Sequence, residues 1–99
     1  MEPMETLSQA ITRLRGTGYH IDYRANDREL LECDECGAVF DPTEMQVDET
    51  VRFEGASDPG DEAILFALDA GGGHRGLYAA AYGAAVSADD IAVIRALPD

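Results

Sequence analysis

Lysine is absent from this chain, and its 7 basic residues, all arginine, stand against 20 acidic ones. A formal net charge of −13 leaves few of the cations from which affinity for phosphate backbones comes. Nucleic acid is therefore not an expected partner, and neither is an anionic membrane surface. No apolar run approaches the about 18 residues of a membrane span, and the N-terminus has no basic-then-apolar signal pattern. The expected location is the cytoplasm. With only 2 cysteines there is no disulfide scaffold, in keeping with a reduced compartment. No Ser-His-Asp ordering is recognisable, and Gly71-Gly72-Gly73 leads into a strand pattern instead of the helix that a phosphate-cradling loop requires.

The content that is present describes one α+β domain over residues 1–99. A hydrophobic content of 45% argues against disorder. Thr6 to Arg15 reads as a helix, with Leu7, Ala10, Ile11 and Leu14 on one stripe, a Thr6–Gln9 capping box and Gly16 as its stop. Tyr19–Tyr23 alternates as a strand, and Glu29–Cys33 returns after the Asn26-Asp27 turn. Asp41-Pro42 begins a turn or a single helical turn. The organising stretch follows as three strands: Val47–Glu54, with Val47, Val51 and Phe53 on one side; Ala63–Leu68, apolar on both sides; and Leu77–Tyr82. A last helix opens at Ser87 and presents Ile91, Ile94 and Leu97. The expected architecture is α-β-β-β-β-β-α, a mostly antiparallel five-stranded sheet with its N- and C-terminal helices packed over one face. Two short helices on one face leave the second face of Ala63–Leu68 in need of cover, and a homodimer is one expected source of it.

The strongest local motif is Cys33-Asp-Glu-Cys36-Gly37. A Cys-x-x-Cys-Gly turn lets two thiolates converge on one zinc ion, with the glycine permitting the tight backbone behind them. Two further ligands are needed, and the tip Asp69-Ala70-Gly71-Gly72-Gly73-His74 offers His74 as the third and Asp69 (or water) as the fourth. A reduced, metal-free pair is the competing reading. Dithiol catalysis is the third reading. Asp34 and Glu35 between the thiols oppose it, since carboxylates raise a thiol pKa, and Gly37-Ala38-Val39-Phe40 is no helix opening. The acidic loop from Glu54 to Glu62 reads as a solvated turn, and His20 as an exposed or hydrogen-bonded side chain on the polar side of its strand.

Around Arg52-Phe53-Glu54-Gly55 and Ala81-Tyr82-Gly83 the chain resembles a family of small bacterial and archaeal proteins of unknown function, some of them labelled phosphoribosylpyrophosphate synthetase. The resemblance spans most of the chain and implies a compact domain without an established activity. The synthetase itself is a larger chain with an extended phosphoribosyl-binding loop, which nothing in this sequence matches. Some relatives carry cysteines near the second hairpin tip, where this chain has Gly71–His74. The expected function is a non-enzymatic binding or regulatory module for a protein partner or a second copy; the alternative is a small zinc protein built on the cysteine pair.

Overall fold

The computed structural model describes residues 6–53, 63–81 and 87–98. Helix α1 spans Leu7–Arg15, and its capping box is formed: Thr6 accepts from the Gln9 amide while the Gln9 side chain accepts from Thr6. Strands β1 (Ile21–Ala25), β2 (Leu31–Cys33) and β3 (Val39–Phe40) follow, then a single 3-10 turn over Pro42–Glu44. Strands β4 (Gln46–Phe53), β5 (Ala63–Asp69) and β6 (Arg75–Ala81) form the meander, and helix α2 covers Ala88–Ala96 behind a Ser87 N-cap. The acidic loop, the Gly55–Gly60 turn and Tyr82-Gly83 lie outside the described residues.

The sheet has six strands, not five, in the order β3-β2-β1-β6-β5-β4. The additional strand is β3, whose two residues pair with Leu31 and Glu32; two residues are too few for an alternation to register in the sequence. Two antiparallel meanders meet at a parallel seam, where Ile21, Asp22 and Tyr23 of β1 lie opposite Gly76, Leu77 and Tyr78 of β6.

The helices lie on opposite faces. Ala10 and Leu14 of α1 are buried with Tyr19, Leu65, Ala67 and Leu77, against partly buried Val51 and Phe53. The other face buries Ile64, Phe66, Leu68 and Tyr78 with Ile21, Tyr23, Leu31, Cys33, Val93 of α2 and its C-cap Leu97. Each helix thus covers one side of β5, whose residues from Ile64 to Leu68 are all buried. The premise that both helices share one face fails, and with it the need for a second copy to cover β5.

Three smaller expectations are corrected by the same packing. Val47 does not share a side with Val51 and Phe53: the register shifts between Val47 and Glu49, a bulge that sends Val47 to the α2 side and Val51 and Phe53 to the α1 side. Tyr19 precedes β1 and joins the α1 cluster, whereas Ile21 and Tyr23 face α2, so the Tyr-Ile-Tyr alternation is broken at its first member. In α2 the inward stripe is Asp90, Val93 and Ile94, followed by the C-cap Leu97, because Tyr78 Oη donates to the Asp90 carboxylate from beneath the helix. Ile91 is left 36% exposed, off that stripe.

Candidate functional site at the cysteine turn

Cys33 ends β2, opposite Tyr23 of β1, and its side chain is buried in the α2-side core. The chain then turns over residues 34–38 and comes back as β3. The Cys33 amide donates to Ala38 O at 2.8 Å, the Gly37 amide donates to Cys33 O at 3.1 Å, and the Asp34 amide is tied to Asp22 O at 2.9 Å. Gly37 has φ of 70°, the left-handed conformation that a side chain resists, so glycine here permits the turn. The outcome is a sulfur-centred turn, in which the Cys36 amide donates to Cys33 Sγ at 3.3 Å.

The electrostatics follow from that geometry. Hydrogen bonding from the Cys36 thiol, then from its amide, holds the Cys33 thiol below its ordinary pKa, and the Glu35 amide adds to this. Burial and the Glu35 charge act in the opposite direction and are outweighed. The Glu35 carboxylate thus acts in the expected direction, but the hydrogen bonds of the turn outweigh it and the net shift of Cys33 is downward. Cys36 itself is exposed and forms no disulfide, and Asp34 and Glu35 beside it are exposed.

The second tip sits at the same end of the sheet. Gly71, Gly72 and Gly73 all have positive φ, of 84°, 61° and 85°, and the turn is closed by the His74 amide on Gly71 O and the Ala70 amide on His74 O. The His74 ring packs on Phe40, centroids 5.1 Å apart, with Nδ1 3.2 Å from Gly71 O. Phe40 meets Tyr23 edge-on, and Tyr23 Oη donates to His74 O at 2.7 Å. Burial, with the nearby Cys33, Asp69 and Cys36 charges, pushes the Tyr23 phenol up to about 12.

The structure thus brings Cys33 and Cys36 together, and places His74 at the same end of the sheet against Phe40. Asp69 is occupied elsewhere: its carboxylate accepts from the Gly71 amide at 2.8 Å and stands 4.0 Å from Arg75 Nε, while Arg75 lies over the Tyr19 ring on the α1 side. Among the described residues no group of three or more His, Cys, Asp or Glu side chains is placed to hold a metal ion. Tyr23 and Phe40 are the site's unanticipated members. Tyr23 was legible only as a strand residue, and Phe40 belongs to a strand too short to signal itself. His20 is exposed at the entry to β1, and its carbonyl accepts from Arg15.

A separate concavity of about 350 Å³ lies on the same α2 face of the sheet toward the β4 edge, lined by Thr50, Arg52, Ile64, Phe66, Ile94, Leu97 and Pro98. Among the described residues no helix is long and apolar enough to cross a membrane. No family model matches the chain, and no curated protein or solved structure is significantly similar to it. The family resemblance accordingly rests on the residues that suggested it.

Proposed function

We propose that this chain is a non-enzymatic, cytoplasmic binding module whose acidic exterior takes up a basic protein segment. The carrying observation is where the charge sits. No charged side chain is buried among the described residues, so the described carboxylates lie at or near the surface. Several arginines are engaged within the molecule, Arg13 with Glu49, Arg15 with Asp22 and Arg24 with Glu32, yet the whole chain keeps its excess of −13. A field of that sign attracts cationic partners and accelerates their encounter, and salt screens it.

The test is calorimetric titration of the chain with an arginine-rich peptide and with a glutamate-rich peptide of equal length. Binding of the arginine-rich peptide alone, weakening steeply as the Debye length falls from about 10 Å at 0.1 M to about 3 Å at 1 M salt, is the expected result. No heat with either peptide at low salt, or equal binding of both, sinks the reading. The alternative, a structural zinc ion held by Cys33, Cys36, His74 and Asp69, is favoured by the sulfur-centred turn and opposed by the engagement of Asp69 with Gly71 and Arg75.

A further inference from the structure

We propose that Cys33 and Cys36 form a two-coordinate site for a soft monovalent metal ion, copper(I) being the member of that class to test. The argument begins with ligand number. The two cysteines close one turn, with the Cys36 amide donating to Cys33 Sγ at 3.3 Å. Within the described residues they have no third His, Cys, Asp or Glu partner placed to complete a metal group. Structural zinc takes four ligands in a tetrahedron, so this pair is half of what it needs. Thiolates select soft ions, and copper(I) is satisfied by two thiolates in a near-linear arrangement. The pair already supplies that complete set.

The turn also fixes the position of its buried sulfur. A backbone amide is aimed at Cys33 Sγ from Cys36 at 3.3 Å, which holds that sulfur in one orientation for a ligand role. Cys33 is fixed at the end of a strand and buried, whereas Cys36 is exposed on the turn. One ligand is therefore rigid and the other reachable from solvent, so an ion enters from the Cys36 side. The step balances without an oxidant: one Cu⁺ replaces two thiol protons, giving a bis-thiolate complex of net charge −1 and two protons released. Asp34 and Glu35, both exposed on the turn, draw the cation in, and solvent screens their repulsion of the bound complex.

The experiment titrates the reduced full chain with copper(I), without oxygen, against bicinchoninate as a coloured competing chelator. One copper per chain withheld from the chelator, with the protein still monomeric by sedimentation, is the expected result. C33S and C36S should each lose that equivalent, while H74A and D69N should keep it. Because C33S alters a buried residue, the folded wild-type chain alkylated at exposed Cys36 provides a second test: uptake should vanish with the circular dichroism unchanged. The proposal is overturned if the wild type competes no better than the double serine variant. It is equally overturned if H74A loses copper as C36S does, or if copper binds at one ion per two chains with a matching dimer mass.

Discussion

The two halves of the sheet differ in length, in cover and in chemistry. Strands β4, β5 and β6 have 8, 7 and 7 residues, and β5 is packed on both faces. Strands β1, β2 and β3 have 5, 3 and 2, and their α1-side residues Asp22, Arg24 and Val39 are exposed. At about 25 cal/mol per Å² of apolar surface removed from water, the long meander carries most of the burial that offsets chain entropy. The short half contributes one buried face, yet it holds both cysteines and the aromatic pair that reaches the second tip. Segments with few buried contacts open most easily, so the short half should open before the long meander.

The seam is the place to break this arrangement with the largest effect. A Cβ placed at Gly76 would lie 2.5 Å from Ile21 O, 2.7 Å from Ile21 Cβ and 2.8 Å from Tyr23 Cε2. Two of these neighbours are backbone or Cβ atoms with no room to retreat while β1 stays paired. Gly76→Val should therefore cost about 3 kcal/mol or more, at the upper end of overpacking effects. Denaturant titration checks this, and a loss under about 1 kcal/mol would mean that the two halves are not held in register here.

Hydrogen exchange sharpens the same comparison without a mutation. The β5 amides, flanked by β4 and β6 and covered on both faces, should exchange only through global unfolding. Amides of β2 and β3 should exchange at least about tenfold faster, through opening of the short half alone. Equal protection in β2 and β5 would show that the seam makes the domain one cooperative unit.

How much of this was legible in the sequence depends on whether the signal was local. The α1 capping box, the Ser87 cap, the turn at Pro42 and the two-sided burial of Ile64–Leu68 are all as the residues indicate, because each is set within a few positions. The parallel pairing of β1 with β6 leaves no such trace, since it joins strands far apart in the chain, and the bulge at Asp48 breaks an alternation that otherwise looks regular. At the site, the spacing of Cys33 and Cys36 foretold the turn, and Gly37 adopts the conformation it requires. The Glu35 carboxylate raises the Cys33 thiol as its charge indicates, but the larger lowering by the Cys36 thiol and amide depends on how the turn closes, which the sequence does not display. Asp69 bonds the Gly71 amide two residues on, a local turn contact that the sequence reading misses, and only the hairpin brings Arg75 opposite it.

A smaller effect separates the seam from the turn by pH. Tyr78 is buried at the seam and donates to Asp90, and burial followed by that carboxylate raises its pKa. Tyr23 is raised to about 12, again by burial first. In both the fold favours the neutral phenol, so their contribution is whole below the unfolded tyrosine value of about 10 and is lost as pH rises from there toward the folded values. Thermal melts should fall steeply above about pH 10. Tyr78→Phe should cost about 2 kcal/mol at neutral pH, the loss of a hydrogen bond to a charged group, and should flatten part of that alkaline fall. An unchanged alkaline slope would mean that Tyr78 does not hold its proton by this contact.

The smallest effect belongs to Cys33, and its sign is opposite. The folded pKa is depressed, first by the Cys36 thiol and then by the Cys36 amide, so the fold favours the thiolate. Its contribution is present above the unfolded thiol value of about 8.5 and is lost as pH falls through the folded value. Between those two points stability should rise slightly with pH, in a window below the one in which the tyrosines make it fall. Cys33→Ser should abolish the rise, and Cys36→Ser should reduce it, because the principal hydrogen bond comes from that thiol. The direct measurement is the pH dependence of the Cys33 thiolate absorbance in Cys36→Ser against wild type. A midpoint that moves up toward the ordinary thiol value in the variant supports the assignment. Identical midpoints would show that the backbone amides act without Cys36, and an ordinary midpoint in the wild type would remove the prepared thiolate altogether.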